Sequence, residues 1–138
     1  VAVEAALGIR EKIQLFGKDY DTKDGTNLRD YIHVDDLASA HIAAIEYMEE
    51  NWNENSGNYD MFNVGTSNSA SNLEVIKALE EIHGEFNWEF GPERPGDPIV
   101  NYANTDKIRK VLKWKPEYTY KDSIKHAYEW GKKKLGRS

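Results

Sequence analysis

The 138-residue chain carries 24 acidic against 18 basic side chains, for a net charge of −6, with 39% hydrophobic and 30% charged residues. That length suits one domain with a single core. No apolar run approaches the ~20 residues that span a bilayer, and a nucleic-acid-binding domain would show the opposite charge balance. Neither a membrane nor a nucleic acid is therefore expected as partner. The absence of cysteine excludes disulfides and thiolate metal sites, and it fits a reducing, cytoplasmic compartment.

In chain order, Val1 to Leu7 is small and apolar, with Glu4 in its middle and no basic leader. It reads as a helix already under way, so the chain is expected to begin inside a larger protein. Ile13 to Phe16 reads as a strand and Asp19 to Asn27 as a polar loop. Tyr31 to Val34 reads as a second strand, with His33 alternating against Ile32 and Val34 and free to face away from the core. Leu37, Ala40, His41, Ala44, Ile45 and Met48 then fall at helical spacing, with Asp35-Asp36 as N-cap and acidic first turn. A loop over Asn51 to Asn58 precedes a third strand, Met61 to Val64.

Ser71-Asn72-Leu73-Glu74 is a capping-box signature opening a helix with Leu73, Ile76, Leu79 and Ile82 on one stripe. A strand is expected at Asn87 to Phe90, then a proline- and glycine-punctuated loop from Gly91 to Pro98. Ile108, Val111 and Leu112 mark a short helix, and Ile124, Ala127, Tyr128 and Leu135 a last one. The basic run Lys132-Lys133-Lys134 suits the negative end of that last helix dipole. Trp88, Trp114 and Trp130 are expected to pack in a core or lid. Short strands alternating with helices predict an α/β fold.

Two arginines stand out. Arg29 separates the polar loop from the Tyr31 strand and is followed by Asp30; Arg94 lies on the proline-glycine loop, three residues before Asp97. A guanidinium at a strand end or on a stiff loop can offer a bidentate fork to phosphate oxygens. Taken alone, an arginine beside an aspartate more often forms a structural ion pair. The four histidines have no carboxylate or cysteine at metal-ligand spacing, so structural or surface roles are expected for them.

The stretch Phe16-Gly17-Lys18-Asp19-Tyr20-Asp21-Thr22-Lys23-Asp24-Gly25-Thr26-Asn27-Leu28-Arg29-Asp30-Tyr31-Ile32-His33-Val34-Asp35-Asp36-Leu37 closely resembles the F-G-x-D-Y-x-T-x-D-G-T-x-x-R-D-Y-I-H-V-x-D-L stretch of UDP-glucose 4-epimerases. These belong to the extended short-chain dehydrogenase/reductase family. Phe62-Asn63-Val64-Gly65 is similar to the family's Y-N-L-G strand, Arg94-Pro95-Gly96-Asp97 to R-x-G-D, and Trp114-Lys115-Pro116 to W-x-P. The matches keep family order over nearly the whole chain. The D-Y-x-T-x-D-G-T segment is the part most particular to 4-epimerases.

The resemblance implies an α/β fold that is the C-terminal substrate-binding part of an extended short-chain dehydrogenase/reductase. It places 35–69 on or within an N-terminal Rossmann half that this sequence lacks, and 70–138 in a small substrate-binding lobe. It further implies that backbone groups near Gln14 and Phe16 hold uracil and that Arg29 and Arg94 hold the pyrophosphate of a UDP-sugar. Asp97 would take the ribose hydroxyls. Asn101, four residues after Asp97, would line the pocket around the sugar's C2 substituent, where a bulky tyrosine excludes an N-acetyl group.

The implied reaction interconverts UDP-galactose and UDP-glucose through NAD, in a parent enzyme that is a homodimer. NAD would belong to the missing half, because no G-x-x-G-x-x-G occurs here. Tyr128-Glu129-Trp130-Gly131-Lys132 spells the family's Tyr-x-x-x-Lys, but it follows every other motif, where a catalytic copy would precede Arg29. No catalytic residue, NAD-binding residue or metal ligand is thus expected in this chain. Other readings are a related nucleotide-sugar epimerase or dehydratase, and a stand-alone nucleotide-sugar-binding module. One departure concerns N-L-G-x-G-x-G, which appears as Asn63-Val64-Gly65-Thr66-Ser67-Asn68-Ser69. Ser67 or Ser69 would cost about 1 kcal/mol if its position demands positive φ, and Lys113 carries a similar modest cost where many relatives have glycine.

Overall fold

A computed structural model gives the fold of residues 1–51 and 59–136. Its elements are α1 (Ala2–Ala6), β1 (Ile13–Phe16), β2 (Leu28–Arg29), α2 (Val34–Glu50), β3 (Ala70–Ser71), α3 (Asn72–His83), β4 (Trp88–Gly91), β5 (Val100–Asn101), α4 (Asp106–Val111) and α5 (Tyr120–Lys134). β1 runs parallel to β4, with Ile13 opposite Trp88 and Phe16 opposite Gly91. β2 lies between β3, antiparallel to it, and β5, parallel to it.

The centre of the lobe is α3. Ser71 caps it, accepting from the Glu74 N–H at 3.0 Å while Glu74 accepts from the Ser71 N–H at 2.8 Å, as the capping-box spacing requires. Its apolar stripe buries Ile76 and Leu79 completely, and the helix packs against α1 and α5. A second cluster joins Ala40 of α2, Ile108 of α4 and Trp114, with Ile32, Phe62 and Val64 packed against it.

Several expected features differ. Tyr31 to Val34 forms no strand: pairing stops at Arg29 because β3 and β5 are each only two residues long. His33 is buried, not turned outward, and it is the N-cap of α2, its Nδ1 accepting from the Asp35 N–H at 3.0 Å. Asp35 and Asp36 therefore occupy the first turn without capping it. Asp36, fully buried, accepts the N–H groups of Glu117 at 2.9 Å and Tyr118 at 3.1 Å.

Met61 to Val64 is not a strand among the described residues; no neighbouring strand is there to pair with it. Of the tryptophans, Trp114 is buried and Trp88 partly so, but Trp130 is 64% exposed. The expected loop at 51–58 lies outside the described residues apart from Asn51. α2 presents the largest difference: Leu37, Ile45 and Met48 of its expected core stripe are exposed, as are Val34 and Ile42.

Candidate functional site

A cleft of about 400 Å³ opens beside α3, lined by β1, Arg29, Tyr31, Asn72, Val75, Ile76, Arg94 and Asp97 among others. Each wall has a local cause. The hydrogen bonds of β1 to β4 begin at the Ile13 N–H, donated to Asn87 O at 3.1 Å, and end at Gly17, donated to Gly91 O at 3.1 Å. Strand alternation then turns the backbone groups of Gln14 and Phe16 to the other edge, which carries no strand among the described residues. The Gln14 side chain is held away from that task by Glu89, to which it donates at 2.6 Å.

Arg94 and Asp97 bracket a tight turn closed by the Asp97 N–H donating to Arg94 O at 3.1 Å. Pro95 pre-sets the first corner, and Gly96, at φ +84°, occupies the second, where a type II turn needs positive φ. The Arg94 guanidinium lies 3.5 Å from the centre of the Phe16 ring, a stacking that steers it while leaving its N–H groups to the cleft.

Arg29 reaches the cleft from β2. Its neighbour Asp30 forms no ion pair with it. Asp30 accepts instead from the N–H groups of Thr66 (2.9 and 3.0 Å), Ser67 (3.2 Å) and Ala103 (3.2 Å), and from the Thr66 hydroxyl (2.5 Å). Gly65 is obligatory beside it, since a Cβ there would collide with Asp30 Oδ2 and the Ala103 methyl. Arg29 donates to Leu28 O at 2.8 Å. Among the described residues neither Arg29 nor Arg94 forms an ion pair. In a chain of net charge −6, two guanidinium groups without carboxylate partners in one cleft make an anion site the simplest use of both.

The D-Y-x-T-x-D-G-T loop proves to be a brace for this cleft. Asp24 accepts from the Thr26 N–H at 3.0 Å, the Thr26 hydroxyl at 2.8 Å and the Ser71 hydroxyl. Thr26 Oγ1 accepts the Leu73 N–H at 3.2 Å, Asn27 O accepts the Asn72 N–H at 3.0 Å, and Lys23 pairs with Glu74. Burial acts to raise the Asp24 carboxyl, and the hydrogen bonds from Ser71 and Thr26 outweigh it, leaving it below its ordinary value. Glu74 is held low chiefly by Lys23 and then by the Ser71 N–H.

The residues 2–127 match the model of the GDP-mannose 4,6 dehydratase family. The chain belongs to that family. Within it the relatives are UDP-glucose 4-epimerases, and this chain corresponds to their C-terminal part. UDP-glucose 4-epimerase of Lacticaseibacillus casei is 42% identical over 132 residues, covering 94% of this chain and 38% of that protein. The UDP-Glc/GlcNAc 4-epimerase of Campylobacter jejuni is 42% identical with a TM-score of 0.83, over 96% of this chain and 39% of that one. UDP-glucose 4-epimerase from Bifidobacterium longum, solved with NAD+ and UDP, is 38% identical with a TM-score of 0.85, over 97% and 38%. The chain thus spans under two fifths of the length of the first of these epimerases.

Of the expected epimerase site residues, the cleft unites Gln14, Phe16, Arg29, Arg94 and Asp97. Asn101 does not line it; on β5 it stands in register with Arg29, and its carbonyl accepts the Asp30 N–H at 3.1 Å. The Tyr128-to-Lys132 spelling lies on α5, where the Tyr128 hydroxyl is engaged with His83 Nδ1 at 2.9 Å, apart from the cleft. No cluster of three metal-ligating side chains occurs among the described residues. The sequence did not single out Tyr31 or Asn72 as site residues. The Tyr31 hydroxyl donates to Asn72 Oδ1 at 2.7 Å, a contact 41 residues apart in the chain with no local signature. Burial pushes the Tyr31 phenol up, against an opposing effect of the Arg29 cation, so the hydroxyl keeps its proton.

Proposed function

We propose that this chain is the UDP-holding part of a UDP-glucose 4-epimerase, whose complete form interconverts UDP-galactose and UDP-glucose with NAD. The observation that carries the reading is the cleft itself, where Arg29 and Arg94, both without carboxylate partners among the described residues, line one wall with Asp97 and the open edge of β1. The arginines hold the diphosphate, and Asp97 accepts from the ribose hydroxyls. Backbone groups of Gln14 and Phe16 meet the edge of uracil. Asn101 belongs to the sugar end, beyond the cleft formed by this chain alone. Relatives solved with UDP, or with UDP-glucose at 27% identity, support the choice of nucleotide.

NAD does not fit the residues present: the sequence has no glycine-rich dinucleotide turn, and Tyr128 is committed to His83. Its binding and the chemistry at sugar C4 are assigned to chain outside these 138 residues. The exposed Val34, Leu37, Ile42, Ile45 and Met48 of α2 are the surface on which that remainder packs. Residues 35–69 thereby join the dinucleotide-binding half, 70–138 form the substrate lobe, and the complete cytoplasmic enzyme is a homodimer. Incubating the 138-residue chain with UDP-galactose and NAD tests the division of labour. UDP should bind and no UDP-glucose should form; turnover above background would overturn it.

A further inference from the structure

We propose that Asn72 is a further ligand-binding residue of the cleft, donating its side-chain N–H to a phosphate oxygen of the nucleoside diphosphate, with Tyr31 as the residue that positions it. This rests on the reading of the cleft as a UDP site and adds a neutral donor to its two cations. Asn72 is the first residue of α3 and lines the cleft with Arg29, Arg94 and Asp97. Its backbone is pinned by the N–H donated to Asn27 O at 3.0 Å. Its Oδ1 accepts the Tyr31 hydroxyl at 2.7 Å. In that arrangement the amide oxygen is taken by the Tyr31 hydroxyl and the amide NH2 is its other end.

The Nδ2 group is left as the free end, with no acceptor among the described residues. Tyr31 is held in turn on the cleft wall, half-buried and next in chain to the Asp30 anchor. The N-terminus of α3 does not supply the donor itself. The Asn72, Leu73 and Glu74 N–H groups are taken by Asn27 O, Thr26 Oγ1 and Ser71 Oγ. An amide N–H without an acceptor of its own among the described residues, on a residue lining a cleft that holds two arginines, is suited to an anion. A neutral donor also leaves the site's charge unchanged, so diphosphate is favoured by geometry and not by a larger field.

The test uses the complete enzyme and two ligands, UDP and uridine, titrated by calorimetry. Asn72→Ala should weaken UDP by roughly ten-fold, the order lost when a hydrogen bond to a charged group is removed, and leave uridine unchanged. Asn72→Asp, which faces the diphosphate with a carboxylate, should weaken UDP further and still spare uridine. Tyr31→Phe frees the amide to flip and should weaken UDP by less than Asn72→Ala does. Unchanged UDP affinity in Asn72→Ala, or equal losses for UDP and uridine, would overturn the assignment and leave Asn72 a packing residue. Should Arg29→Ala and Arg94→Ala also leave UDP binding intact, the failure lies in the reading of the cleft.

Discussion

Asp30→Ala should destabilise the lobe by about 2–4 kcal/mol, and the figure follows from what the carboxylate does. Three backbone N–H groups, on Thr66, Ser67 and Ala103, and the Thr66 hydroxyl converge on it. Ser67 is exposed, so water replaces its lost acceptor at little cost. Thr66 and Ala103 are half-buried, and leaving their N–H groups without acceptors costs about 1–2 kcal/mol each. The loss compares with about 5–15 kcal/mol for a whole small domain. Asp30→Asn, which keeps one oxygen for Thr66, should lose less. Urea denaturation of the complete enzyme, followed by tryptophan fluorescence, gives both values from the midpoint shift at constant slope. If Asp30→Ala costs under about 0.5 kcal/mol, as for a surface position without such features, the brace assigned to Asp30 is wrong. If Arg29→Ala matches it in stability loss, Arg29 is structural after all.

Stability should fall as the pH drops through the carboxylate range. Asp24 and Glu74 are both held below their ordinary values in the folded chain, so they contribute fully above the unfolded pKa of about 4, and that contribution is lost as acid protonates them. Asp24→Asn should flatten the acid limb of a midpoint-against-pH plot, and an unchanged limb would refute this. The isolated 138-residue chain should self-associate, because α2 leaves Ile42 and Ile45 more than half exposed. Sedimentation should show weaker association in Ile42→Lys/Ile45→Lys, and a monomeric wild-type chain would contradict the assignment of that face. The complete enzyme should convert UDP-GalNAc as well as UDP-galactose, since asparagine at 101 is far smaller than an excluding tyrosine. Asn101→Tyr should remove the first activity and keep the second; an unconverted UDP-GalNAc in the wild type would show that another side chain is the gate.

Much of the fold was legible where a local rule sufficed. Ser71 and Glu74 announce the start of α3, and Ile13 to Phe16 and the Trp88 strand carry β-prone sequence bounded by turns. Ser67 and Lys113 do adopt the positive φ, 56° and 57°, expected where relatives have glycine, whereas Ser69 does not. Features set by long-range partners were not legible. β3 and β5 are two-residue bridges too short for a period to register. His33 reads as an alternating strand residue, and only the Asp35 N–H it accepts reveals it as a cap. The stripe of α2 is truly amphipathic, but only its Ala40 edge is covered among the described residues, so Leu37 and Met48 are exposed despite correct spacing. At the site, composition alone left Arg29 and Arg94 between ion pair and phosphate ligand. The geometry weighs against the ion pair by committing Asp30 to backbone N–H groups.

The central claim is tested most directly by calorimetric titration of UDP into the complete enzyme, wild type against Arg29→Ala and Arg94→Ala. Each substitution removes a charge-assisted contact of about 1.5–3 kcal/mol, so affinity should fall roughly ten- to a hundred-fold while the thermal midpoint hardly moves. Wild-type affinity for UDP in both variants would contradict the account.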